Sequence, residues 1–92
     1  MAYSILQTRR FARQYKKLND KTAKDVDEAV ILICDAPRVG EKKKGDLSSL
    51  IVYKFKSHGQ QLLLGYSLDD GLRLTYLEAI APHENFITDI KR

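Results

Sequence analysis

From Ala2 to Gln7 the chain opens on a short apolar run, which predicts a strand, and Thr8 after it carries the hydroxyl of a helix N-cap. Phe11, Tyr15 and Leu18 then recur at helical spacing and share one face, with Arg9, Arg10, Arg13, Lys16 and Lys17 spread over the rest of that surface. Asn19-Asp20 breaks the pattern and offers a new cap. From Thr22 onward Ala23, Val26, Ala29, Val30 and Ile33 again follow helical spacing, with Lys24, Asp25, Asp27 and Glu28 outside. Pro37 stops this second helix, because it lacks an N–H and disfavours the helical conformation in the residue before it. Two consecutive helices with a tight break predict a helical hairpin.

Gly40 to Ser49 reads as an irregular basic loop, after which the period changes from helical to two. Ile51, Tyr53 and Phe55 point one way, and Val52, Lys54 and Lys56 the other. Ser57-His58-Gly59-Gln60 is a turn, and Leu62-Leu63-Leu64 is a continuous apolar run suited to a central strand. Asp69-Asp70-Gly71 signals a hairpin, since Asp and Gly tolerate the positive φ of two-residue turns. Leu72, Leu74, Tyr76 and Ile80 then alternate with Arg73, Thr75, Leu77 and Ala79. A short C-terminal helix is expected, with Pro82 near its first turn and Phe86, Ile87 and Ile90 inward. The fold class is therefore α+β: a small antiparallel or mixed four-stranded sheet, an N-terminal helical hairpin on one face and a short terminal helix, in the order β-α-α-β-β-β-α. The other sheet face would be open and carry Lys54, Lys56, Arg73 and Thr75.

Composition narrows the class. The 92 residues suit one domain spanning 1–92, and 43% apolar with 30% charged residues supply a core and exclude a disordered chain. No apolar stretch approaches the roughly 20 residues that cross a bilayer, and the opening lacks the apolar segment of a signal peptide, so a cytoplasmic protein without a membrane partner is expected. Cys34 is the single cysteine, which excludes an internal disulfide and a cysteine-based metal cluster; it follows the apolar helical face. A net charge of +4 leans toward polyanions, more by its distribution than by its size. Arg38, Lys42, Lys43, Lys44, Lys54 and Lys56 crowd one segment against Glu41 and Asp46, although a solvated loop accounts for Lys42–Lys44 as well.

Several of these features together resemble the RelE/ParE toxin superfamily of bacterial type II toxin–antitoxin modules. They are the Phe11-x-x-x-Tyr15-Lys16-Lys17-Leu18 helix, the Pro37-x-x-Gly40 turn, Gly45-Asp46-Leu47, Tyr53-Lys54-Phe55-Lys56 and His83-Glu84-Asn85-Phe86…Lys91-Arg92. The resemblance covers nearly the whole chain. It implies a toxin neutralised by a cognate antitoxin protein, in a toxin–antitoxin hetero-oligomer, and either of two activities. RelE members are ribosome-dependent mRNA interferases, metal-independent endoribonucleases that need no cofactor and inhibit translation; ParE members inhibit DNA gyrase without catalysis. The ribosome with its mRNA is thus the first expected target and gyrase the alternative.

Metal-free RNA cleavage requires a group to take the 2′-OH proton, cations for the phosphoryl oxygens and an acid for the leaving 5′-oxygen. Lys54 and Lys56 lie two apart on a predicted strand, so both ammoniums leave one face about 6.6 Å apart along it and can straddle a phosphodiester. The resemblance implies that this pair serves the chemistry, as a lysine pair on the same strand does in RelE; exposed strand lysines also discourage edge pairing. His83, at the expected start of the last helix, is the candidate for proton transfer, and resembles a histidine used in this region by YafQ-type toxins. His58 reads as a solvated turn residue. Arg73 is a candidate phosphate ligand and Phe86 a candidate base-stacking ring. Lys42, Lys43 and Lys44, with the basic residues of the first helix, would contact RNA through its backbone.

Two positions depart from the family pattern. Gln61 stands where RelE carries an arginine early in the following strand, removing a cation. Ile87 stands where relatives carry a tyrosine that could stack on a base or move a proton. Both place more of the chemistry on Lys54, Lys56 and His83.

Overall fold

The computed structural model of the chain describes residues 3–42 and 50–82. The elements are β1 (Ser4–Gln7), α1 (Arg9–Lys16), α2 (Asp20–Asp35), β2 (Glu41–Lys42), β3 (Ile51–Ser57), β4 (Gln60–Asp69) and β5 (Leu74–Pro82). The strands form one sheet in the order β1-β5-β4-β3-β2, with β1 parallel to β5 and the other neighbours antiparallel. The mixed α+β sheet and its helical hairpin are as expected, with a fifth strand added. That strand corrects part of the basic loop: Glu41 and Lys42 pair with Val52 and Ile51 at the sheet margin. The expected C-terminal helix lies outside the described residues. Pro82 itself ends β5, opposite Leu62.

The helix boundaries follow their caps. The Thr8 hydroxyl accepts from the Phe11 N–H at 3.2 Å and donates to the Leu77 carbonyl at 3.1 Å, so one side chain starts α1 and fastens it to β5. Asn19 Oδ1 accepts from the Thr22 N–H at 2.8 Å and starts α2. The Tyr15 hydroxyl donates to Asp27 Oδ1 at 2.7 Å and braces the two helices. α2 ends at Asp35, two residues before Pro37.

The helices cover one sheet face. Phe11, Val26, Ala29 and Ile33 bury against Leu62, Leu64, Tyr66, Leu77 and Ile80, with Ile51, Tyr53 and Phe55 at the margin. Fully burying one such aliphatic side chain contributes about 2 kcal/mol. Cys34 is buried beside them, where loss of hydration pushes its thiol up from the ordinary value. The opposite face carries a smaller buried cluster of Leu50, Val52, Leu63, Ala79 and Ala81. Leu62, Leu63 and Leu64 are thus all buried, as the apolar run on the central strand requires.

The alternation expected along the last strand fails in its first half. Gly65 pairs with Ala79 but Tyr66 with Leu77, leaving Glu78 as an extra residue on β5. This bulge reverses the phase. Thr75 and Leu77 consequently join Ile80 on the helix-covered side, and Thr75 is fully buried rather than on the open face. The hairpin after Asp69 also differs. It is a four-residue loop in which positive φ falls on Arg73 (55°), and the Asp69 carboxylate accepts from the Leu72 N–H at 3.0 Å. The turn at His58-Gly59 has positive φ at both residues (51° and 81°), which suits the two-residue hairpin.

Candidate nucleic-acid interface

β3 presents Lys54 and Lys56 on the sheet face away from the helices, both exposed. Their spacing on a regular strand puts the Cβ atoms about 6.6 Å apart along it. Lys54 is directly opposite Leu63, which is opposite Ala81, so its stem stands at the edge of the buried apolar cluster. Lys56 is directly opposite Gln61. Neighbours across a ladder share a face with Cβ atoms about 5 Å apart, so the Gln61 amide and the two ammoniums form one patch. Neither lysine makes an ion pair among the described residues, and Lys56 also lines a pocket of about 240 Å³ with Asp25 and Glu28 of α2.

Arg73 is not part of this patch. Gln61 and Asp69 are eight positions apart on β4, about 26 Å at strand rise, and Arg73 lies beyond Asp69 in the loop. Its guanidinium sits 5.1 Å from the centre of the Tyr3 ring. The Tyr3 hydroxyl in turn donates to Asp70 Oδ1 at 2.7 Å, and Asp70 Oδ2 meets Arg38 at 3.1 Å. The bulge and the wider loop removed Arg73 from the face that strict alternation had given it. Lys42 also departs: its partner Ile51 faces the helices, so Lys42 lies on the other side of the sheet from Lys54 and Lys56. Lys43, Lys44, His83 and Phe86 lie outside the described residues. His58, in the turn, is exposed with Nε2 3.6 Å from Asp25 Oδ2, and the Ser57 hydroxyl donates to that oxygen at 2.6 Å.

The basic face of α1 is more organised than its sequence showed. Arg10, Arg13 and Lys17 line a cleft of about 530 Å³ against Leu62, Ile80 and Pro82 at the end of the sheet nearest the lysine pair. Gln14 and Gln60 also line it, and sequence reading had missed both. The available signal was the spacing of Arg10, Arg13 and Lys17 at three and four residues, which puts all three on one helical stripe.

The ParE-like toxin model of type II bacterial toxin–antitoxin systems matches residues 5–91. The chain therefore belongs to the ParE-like toxin family. Solved structures agree on the fold. A chain of the RelBE2 toxin–antitoxin complex of Mycobacterium tuberculosis is 20% identical with a TM-score of 0.79, covering 90% of this chain and 100% of that one. Free E. coli RelE, as a double arginine-to-alanine variant, is 18% identical with a TM-score of 0.75, covering 100% and 98%. A chain of the intact E. coli RelBE complex is 18% identical with a TM-score of 0.72, covering 87% and 95%. No curated protein sequence matches. This ParE-like toxin has, among its described residues, no helix long and apolar enough to cross a membrane.

Proposed function

We propose that this ParE-like toxin is a ribosome-dependent endoribonuclease that cleaves mRNA and so inhibits translation. The observation that carries the reading is the patch of Lys54, Lys56 and Gln61, two cations that make no ion pair among the described residues beside a neutral amide on one exposed face. In this scheme the 2′-oxygen attacks the adjacent phosphorus, the bond to the 5′-oxygen breaks, and a 2′,3′-cyclic phosphate and a 5′-hydroxyl result. Lys54 and Lys56 stabilise the charge on the non-bridging oxygens. His83 is assigned the proton transfers, and Phe86, with Lys42, Lys43 and Lys44, contacts to the RNA outside the reacting atoms.

A protein antitoxin is the proposed partner in the cell. Phe11, Tyr15, Val30 and Ile31 line an apolar groove of about 290 Å³ between α1 and α2. β1 forms the margin of the sheet, with Ile5 39% and Leu6 51% exposed. Antitoxin complexes of the similar RelBE proteins support this reading.

The deciding experiment is primer extension on mRNA after induction. Cuts inside translated codons that disappear in Lys54→Ala/Lys56→Ala are expected. The second reading, a non-catalytic gyrase inhibitor, is favoured by the neutral Gln61. Inhibition of supercoiling that survives the double substitution, without any cuts in mRNA, establishes it in place of the first.

A further inference from the structure

The α1 cleft and the lysine patch lie on opposite sides of the sheet but meet at the same end of it. Gln60 lines the cleft, and Gln61, the next residue on β4, stands beside Lys56 on the other face. A chain crossing this end passes from one cationic surface to the other over one strand terminus. The cleft itself has the chemistry of a nucleotide site. Arg10, Arg13 and Lys17 give it one cationic wall, and no carboxylate lines it among the described residues. Leu18 and Pro82 supply apolar surface. Gln14 Oε1 accepts from the Ile80 N–H at 2.8 Å, which fixes the side chain and leaves its NH₂ as a donor. Gln60 adds a second amide. A volume near 530 Å³ falls within the range of small-ligand sites, on the order of 300–1,000 Å³.

We propose that this cleft is a second RNA subsite, which takes a nucleotide beyond the lysine face with its phosphate on the Arg10–Arg13–Lys17 stripe and its base against Leu18 and Pro82. The identity of the strand rests on the ribonuclease reading; the existence of the subsite does not. An acidic peptide would satisfy the cations and could bond the amides through its backbone, but a run of carboxylates offers no ring to Leu18 and Pro82, whereas a nucleotide brings a phosphate, base edges and a base face together. Guanidinium forks on one wall also match the oxygens of a phosphodiester in pairs.

The test measures binding of a short single-stranded RNA by fluorescence anisotropy across a salt series, in the Lys54→Ala/Lys56→Ala background so that the lysine face contributes nothing. Adding Arg13→Gln/Lys17→Gln should weaken binding about tenfold or more. It should also flatten the plot of log affinity against log salt by about 0.7 per charge removed. Lys21→Gln/Lys24→Gln removes the same charge from the exposed surface of α2, outside the cleft, and should leave binding within about twofold. All four positions are exposed, on a helix or at its C-cap, and Gln is a good helix former, so both variants should fold; circular dichroism checks this. Equal losses in the two variants would reduce the cleft to general charge attraction and overturn the proposal. So would a glutamate-rich peptide that binds the cleft and is not displaced by RNA. Loss of mRNA cuts in the cell with the anisotropy pattern intact keeps the subsite, and absence of cleavage altogether with that pattern intact refutes only the ribonuclease reading.

Discussion

Lys56 and Gln61 face each other across the β3–β4 ladder, with Lys54 one step along the same face. The pairing puts a neutral amide where a third cation would meet the same anion. A Gln61→Arg substitution lengthens the side chain by about two heavy atoms and adds a charge to the patch. Under the ribonuclease reading it should raise the rate of mRNA cleavage by about tenfold, since each cation at a developing phosphoryl charge lowers the barrier. Quantitative primer extension with matched toxin levels checks this. An unchanged or lower rate in a folded variant would show that the patch does not contact the scissile phosphate.

The fully buried Tyr66 closes the chain after α2. Its hydroxyl donates to the Pro37 carbonyl at 2.7 Å and accepts from the Gly40 N–H at 3.1 Å. Burial also pushes the phenol above its ordinary pKa, with the Gly40 N–H opposing. Tyr66→Phe leaves both backbone groups without this partner and should cost about 1–3 kcal/mol in urea unfolding. Gly40→Ala should destabilise as well. An added Cβ would lie 2.7 Å from Ile51 Cγ2 and 2.9 Å from the Val52 carbonyl oxygen, and the latter is backbone that cannot swing aside. Wild-type stability in either variant would contradict this account of the Pro37–Gly40 segment.

Thr75 is fully buried and its hydroxyl has no hydrogen-bond partner among the described residues. Valine has nearly the same shape without the desolvated oxygen. Thr75→Val should therefore stabilise the fold by about 1 kcal/mol, read from the urea midpoint at unchanged slope. Destabilisation by a similar amount would mean that the hydroxyl is satisfied in solution.

Asp70 ties two distant parts of the chain. The hydrogen bond from Tyr3 is the main reason its carboxyl is held below the ordinary value, with the nearby Arg38 and Arg73 assisting and partial desolvation opposing. A depressed folded pKa means that the contribution is fully present above the unfolded value, near 3.9, and is lost as pH falls through the folded one. The melting temperatures of wild type and Asp70→Asn should therefore differ most above about pH 5 and converge in more acid solution. Parallel curves across that range would show that the Tyr3–Asp70–Arg38 contacts carry no pH-linked stability.

Much of the fold was legible because its signals are local. Thr8 and Asn19 cap helices wherever a helix follows them, Pro37 ends one in any context, and His58-Gly59 accepts the positive φ of a tight turn. The lysine pair was legible for the same reason, since a two-residue spacing on a strand puts both ammoniums on one side. Arg73 and Thr75 were misplaced because their facing depends on a bulge, and no residue near Glu78 announces one in isolation. Lys42 was read as loop because a two-residue strand has no periodicity; only its partners Val52 and Ile51 make it a strand.

The amino-acid order by itself determined the helical hairpin, the apolar central strand and the charge pattern of β3, because each rests on backbone preferences and on periods of two and 3.6 residues. The tertiary structure decided the rest. It joined β1 parallel to β5, set Gln61 against Lys56, carried Arg73 to the far end of the sheet and closed a basic cleft between α1 and the strand ends. Those outcomes are matters of register and long-range packing, where a shift of one residue on one strand exchanges the buried face for the exposed one.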